Sequence, residues 1–256
     1  MALLNVSFFS HVLGMCMQMD VILPQRAPGK PSVSKYPTLY LLHGMSDDHT
    51  RWRRQTSIER YVEDMNLAVV MPTTHLGWYT DMYRGLNYWT YISEELPAVC
   101  REFFPAMSDK REDTFAAGLS MGGYGAIKLG LRASGTFSKA ASLSGAMDMA
   151  DLPKDPPPGR AFWENIFGPI EDIKGSFNDL LAAATDLKQS GKPLTDIYMW
   201  CGTEDFLYEA NVKMRDHLTA LGFPFIYEDA PGDHQWKYWD EKIQTVLKWL
   251  NIDKSE

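Results

Sequence analysis

The sequence predicts an α/β protein: a mostly parallel central sheet flanked by helices on both faces. Two observations carry this. Short apolar runs, of the kind that form strands buried on both sides, recur at residues 36–42, 67–72, 113–117, 139–144, 197–202 and 225–228. Helical patterns stand between most of them, at residues 57–66, 91–104, 122–131, 208–221 and 236–250. A third observation is the glycine-flanked turn Gly118-Leu119-Ser120-Met121-Gly122, which joins one such strand to one such helix.

In chain order, residues 6–10 and 18–23 read as a hairpin turning at Gly14, and residues 24–31, with Pro24, Gly29 and Pro31, as a turn. The strand at 36–42 ends in His43-Gly44 and a polar segment precedes the helix at 57–66. Residues 73–89, rich in aromatics and turn formers, read as an irregular loop. In the helix at 91–104, Ile92, Leu96, Val99 and Phe103 fall on one face. Pro153, Pro156, Pro157 and Pro158, with Trp163 and Phe167, break the rhythm and suggest a small cap-like insertion at about residues 151–176. The alternation then resumes to the end, and nothing marks a boundary, so residues 1–256 are expected to form a single domain.

Composition narrows the function classes. A hydrophobic fraction of 45% with 23% charged residues is that of an ordinary globular protein. A net charge of -8, with no basic run, argues against nucleic acid or an anionic membrane surface as the main partner. Cys16, Cys100 and Cys201 have no metal-ligand spacing, so neither a zinc site nor a disulfide scaffold is expected, and all three read as buried free thiols in a reducing compartment. The first basic residue is Arg26, so no charged leader precedes the apolar N-terminus, and no run approaches the roughly 20 apolar residues of a membrane span. A cytoplasmic location is expected, with no metal and no cofactor.

Residues 118–122 match G-x-S-x-G, the sharp turn that lifts a serine hydroxyl out of a sheet. The same residues could equally be a glycine-rich turn with Ser120 capping a buried helix. Downstream residues separate the two readings. A serine hydroxyl needs a base, and in this architecture the acid and the histidine follow the serine in that order. His217 lies within a helical pattern, whereas His234 lies in a loop between the last strand and the last helix, where sites form in open α/β sheets. Asp205, on the loop after the preceding strand, is preferred over Glu204 because its shorter side chain holds an imidazole with less freedom; capping the next helix is its alternative role. Ser120 is then the nucleophile, His234 the proton carrier and Asp205 its orienting carboxylate. The backbone N–H of Met121 and that of Met45 or Gly44 are candidate donors to the developing oxyanion. Trp236, Phe206 and Trp78 are candidate substrate-pocket residues, with Tyr79 nearby.

Taken together, residues 41–48, 118–123, 202–205 and 232–234 resemble the esterase D branch of α/β-hydrolases, which includes S-formylglutathione hydrolases, short-chain esterases, feruloyl esterases and mycolyltransferases. Residues 6–23 and 83–97 resemble the bacterial tributyrin esterases in particular. The resemblance spans the chain and implies the α/β-hydrolase fold and hydrolysis of short acyl esters, with Ser120, Asp205 and His234 as triad and Met45 and Met121 as amide donors. It also implies that the chain could form a homo-oligomer. A thioesterase or acyltransferase, and a catalytically silent module of the same fold, are the competing expectations.

Overall fold

In a computed structural model, residues 1–25, 35–153 and 156–252 are described. Most of the turn expected at 24–31 lies outside these residues, as do residues 154 and 155 of the Pro-rich segment. One eight-stranded sheet organises the chain, from β1 (Ala2–Ser10), β2 (Met15–Leu23), β3 (Thr38–Leu42), β4 (Ala68–Pro72), β5 (Thr114–Leu119), β6 (Lys139–Leu143), β7 (Asp196–Gly202) and β8 (Phe225–Ala230), in the order β1-β2-β4-β3-β5-β6-β7-β8. The six strands from β4 to β8 in this order run parallel, and the β1–β2 hairpin joins them antiparallel. The hairpin strands are longer than expected from the sequence, reaching Ala2 and Met15, and turn where Gly14 takes a φ of 65°.

Every residue of β3, β4 and β5 is buried, which is why these strands read as unbroken apolar runs. Along β3 the side chains alternate between two cores: Tyr40 and Leu42 face one, Leu39 and Leu41 the other. The second core is closed by α1 (Arg51–Gln55), α2 (Ile58–Tyr61) and α9 (Trp236–Leu250), through Trp52, Ile58, Trp239, Ile243 and Val246. The first is closed by α3 (Tyr88–Thr90), α4 (Leu96–Phe103), α5 (Met121–Arg132), α6 (Arg160–Phe167), α7 (Leu180–Ser190) and α8 (Tyr208–Leu221).

Several sequence-based expectations are corrected. The helix expected at 57–66 is only the single turn α2, because Glu63 and Asp64 fall where the helix dipole disfavours negative charge and the backbone closes into turns instead. The helix expected at 91–104 begins as a π-helical turn (Tyr91–Glu95), just ahead of Pro97, which has no N–H for the α-helical ladder. Its buried stripe is therefore Ile92, Leu96 and Cys100, while Phe103 is exposed. Cys16 is exposed rather than buried, because it sits near the turn of the edge hairpin.

The insertion at 151–176 contains α6 and short 3-10 turns. Trp163 and Phe167 of α6 pack against Trp78, and Phe167 also against Tyr124 of α5. Tyr83 and Arg84 donate backbone N–H bonds to the carbonyls of Ile166 and Asn165, tying the insertion to the aromatic loop. Among the described residues, no helix is long and apolar enough to cross a membrane.

Candidate active site

The chain reverses its order beside β3: β4 lies on one side of it and β5 on the other. Crevices outside the carboxyl ends of strands at such a point are where α/β sheets bind ligands. Leu42 pairs with Gly118, so the loop after β3 and the turn after β5 leave the sheet side by side. Ser120 occupies that turn with φ 52° and ψ −119°, between β5 and the first residue of α5. Left-handed backbone at a serine is strained and persists only when its surroundings enforce it. Here the Ser120 N–H bonds to the Leu143 carbonyl at 3.0 Å, and the Ser120 carbonyl accepts from Tyr124 N–H at 3.0 Å. The flanking glycines are steric necessities: a Cβ on Gly118 would stand 2.3 Å from the Gly122 oxygen, and one on Gly122 2.4 Å from the Leu42 oxygen. Met121 opens α5, so its N–H has no partner within the helix.

Gly44 passes close to this elbow, and a Cβ there would lie 3.7 Å from the Ser120 Cβ. The orientation of the next peptide is set by His43, which is buried. His43 Nε2 accepts the Thr74 N–H at 3.0 Å, so Nδ1 carries the proton and donates to the Gly44 carbonyl at 2.7 Å. Asp47 N–H bonds the same carbonyl at 3.2 Å, and Tyr79 O–H donates to the His43 carbonyl at 2.8 Å. With the Gly44 oxygen held this way, the trans peptide directs the Met45 N–H to the opposite side. Burial pushes the His43 imidazole down to about 4. The unfolded chain therefore binds a proton that the folded one refuses between pH 6.5 and 4. Stability linked to His43 is complete above pH 6.5 and falls as pH drops toward 4, by about 3 kcal/mol. Urea midpoints measured across that range are expected to fall on acidification, with a shallower slope in His43→Asn.

The strongest side-chain contact of the site joins two other loops. His234, between β8 and α9, and Asp205, after β7, meet with Nδ1 and Oδ2 2.8 Å apart. The second carboxylate oxygen, Oδ1, accepts the Leu207 N–H at 2.9 Å, so Asp205 fixes the start of α8 while holding the imidazole. The alternative role of N-cap is corrected: the N-cap of α8 is Leu207, and Asp205 ties the loop just ahead of that helix. Burial pushes the Asp205 carboxyl up, but the bonds from His234 and Leu207 outweigh it and hold the group below its ordinary value. An ionised Asp205 accepts from Nδ1–H and leaves Nε2 as the basic nitrogen. His217, by contrast, lies within α8 and faces α7, its Nε2 2.9 Å from the Leu181 carbonyl.

Around this pair the structure adds residues that the sequence did not single out. Trp239 lies edge-on to the His234 ring at 4.8 Å and donates its indole N–H to Ser144 at 3.1 Å. Ser144 is buried, with φ 49°. Of the pocket candidates, Phe206 lies over the imidazole, with ring centroids 4.6 Å apart. Trp236 does not touch it but packs against Trp52 and Trp239. Trp78 is buried among Trp163, Phe167 and Tyr124, a packing position at the insertion. Tyr79 is likewise buried. No group of three or more histidine, cysteine or carboxylate residues could hold a metal among the described residues.

Glu204 clamps the two loops together. Its carboxylate accepts the Gly232 N–H, and its own N–H donates to the Gly232 carbonyl at 3.0 Å. Replacing Glu204 by Ala frees the histidine loop at one of these two bonds. The expected result is a fall in kcat of about tenfold, on the scale of one lost charge-assisted hydrogen bond, with the loss largely recovered in Glu204→Gln, measured by steady-state ester hydrolysis.

Residues 10–250 match the family described as "Putative esterase". The chain belongs to this esterase family. An acetyl esterase of Caldicellulosiruptor saccharolyticus is 32% identical over 263 residues, covering 98% of each chain. Among solved structures, the fluorophosphonate-binding serine hydrolase FphF of Staphylococcus aureus superposes with a TM-score of 0.89 at 35% identity, covering 98% of this chain and 99% of that one. The S-formylglutathione hydrolase FrmB of Staphylococcus aureus gives 0.86 at 35% identity, covering 97% and 98%. This esterase has the α/β-hydrolase fold and is a carboxylic ester hydrolase of the serine hydrolase type.

Proposed function

We propose that this esterase hydrolyses short-chain acyl esters through an acyl-enzyme formed on Ser120. His234 takes the Ser120 proton as the hydroxyl attacks the acyl carbon and returns it to the departing alcohol; water then repeats the cycle to release the acid. Asp205 keeps His234 in the tautomer with Nε2 free and stabilises the imidazolium. Met121 N–H and Met45 N–H, with Gly44 giving the turn its room, receive the oxyanion, aided by the positive end of α5. The observation that carries the reading is the 2.8 Å Asp205–His234 pair on the loops beside the strained Ser120 elbow. The acetyl esterase relative supports a small acyl group.

The α6 insertion, packed on Trp78, is proposed to limit acyl length. The same reading takes residues 1–256 as one domain acting in the cytoplasm on a small-molecule ester, without a cofactor, as a monomer or homo-oligomer. A second reading, a thioesterase of the S-formylglutathione type, is favoured by the likeness to FrmB. A panel of p-nitrophenyl esters from acetate to palmitate, run beside S-formylglutathione, separates these. Acetate and butyrate are expected to be preferred; palmitate cleaved as fast would remove the acyl-length proposal. Preference for S-formylglutathione by orders of magnitude in kcat/KM would replace the first reading by the second.

A further inference from the structure

Phe206 is 76% exposed, more than any other large hydrophobic side chain described, and it is not stranded at random. Single exposed apolar residues need no explanation in general. This one lies against the imidazole of His234, at 4.6 Å between centroids and a tilt of 51°. The buried Trp239 touches the same ring, so His234 has one aromatic neighbour in the core and one toward solvent. The seat of Phe206 is also fixed on both sides. Asp205 N–H bonds the Gly202 carbonyl at 3.2 Å, Leu207 N–H bonds Asp205 Oδ1 at 2.9 Å, and Tyr208 N–H bonds the Asp205 carbonyl at 2.9 Å.

We propose that Phe206 is the floor of a leaving-group subsite that favours neutral esters of planar aromatic alcohols. The inference rests on the Ser120–His234 reading above and extends it to the alcohol half of the substrate. In acylation the Ser120 oxygen bonds to the acyl carbon and the bond from that carbon to the alcohol oxygen breaks. The proton taken from Ser120 passes through His234 to that oxygen. The departing oxygen must therefore come within hydrogen-bond reach, about 3 Å, of the imidazole. A ring carried on that oxygen then projects over the side chain already resting on the imidazole. Two apolar faces covering each other remove surface from water and gain from offset stacking.

Charge points the same way. Glu204, whose carboxylate accepts the Gly232 N–H, and Glu209 are both exposed near Phe206 in the chain, and the protein carries a net charge of -8. An anionic leaving group such as glutathione meets repulsion there, whereas a neutral aryl alcohol does not.

The test holds the acyl group constant. Ethyl, phenyl and 2-naphthyl acetate are hydrolysed by the wild type, Phe206→Ala, Phe206→Leu and Ser120→Ala. Covering about 60 Å² of ring surface corresponds to roughly tenfold in affinity. Phe206→Ala is expected to lose about tenfold in kcat/KM on phenyl acetate and more on 2-naphthyl acetate. Ethyl acetate should change by less than about twofold, with Phe206→Leu between. An equal loss on all three esters, with a shifted pH profile, would make Phe206 a support for His234 and overturn the subsite while leaving ester hydrolysis intact. Unchanged or improved aryl ester turnover in Phe206→Ala would overturn it as well. Wild-type rates retained in Ser120→Ala would instead sink the acyl-enzyme reading, and the subsite with it.

Discussion

Ser120→Ala is expected to lower kcat on p-nitrophenyl acetate by about 10⁴- to 10⁶-fold, because members of a catalytic unit fail together. The fold should survive. The elbow is held by backbone bonds at Ser120 N–H and at the Ser120 carbonyl, neither of which uses the hydroxyl. Alanine keeps these bonds and the glycine clearances around them, so the thermal unfolding midpoint should stay close to the wild type. His234→Ala should cost about as much, and the double variant little more than either one. Losses that multiplied instead would mean that the two side chains act separately, and steady-state kinetics on the three variants distinguishes the cases.

The second large effect is expected at Asp205. Replacing it with Asn preserves shape and keeps an oxygen for the Leu207 N–H, so α8 should start as before. What changes is the proton. An amide in place of the carboxylate no longer stabilises an imidazolium, and its NH₂ favours the imidazole tautomer with the proton on Nε2, where it cannot act as a base toward Ser120. A fall of about 10³- to 10⁴-fold in kcat is expected, with KM little altered. A fall of tenfold or less would leave Asp205 only its hold on the Leu207 N–H. The Asp205 carboxyl sits below its ordinary value, so its own titration should leave the activity profile above pH 5 unaffected, as measured by kcat against pH.

How much of this was legible in the sequence depends on whether the deciding contacts are local. The buried strands of the sheet were readable because both faces are covered, which forces continuous apolar runs such as β3 and β4. The elbow was readable because its steric demands fall on residues next to each other: Gly118 and Gly122 must lack a Cβ. The meeting of Asp205 and His234 was readable because each follows one of two strands, β7 and β8, that pair in parallel. Helix α7 is not among the expected helices, although Asp179 caps it through bonds to Leu181 and Ala182 and Gly191 ends it in the left-handed conformation. Those two signals were present but lay next to the Pro-rich stretch, where the alternation of strands and helices is lost.

Other features could not be read at all. The tautomer of His43 is set by Thr74, which is remote in the chain and comes near only because β3 and β4 pair. Trp236 adjoins the histidine loop in sequence, yet its ring turns to Trp52, while Trp239 reaches His234 from the next turn of α9. Neighbouring in sequence and neighbouring in space part company wherever a helix begins. The clamp at Glu204 is hidden for a related reason. A carboxylate beside Asp205 reads as a rival acid until the Gly232 N–H is seen to occupy it.

The most direct measurement is covalent labelling of the nucleophile. The protein is treated with a fluorophosphonate probe, digested, and the modified peptide sequenced by mass spectrometry, beside Ser120→Ala treated in the same way. The expected result is a single label on Ser120, activity lost in proportion to labelling, and no label on the variant. A label that persists in Ser120→Ala, or that maps to another serine while activity disappears, would contradict it.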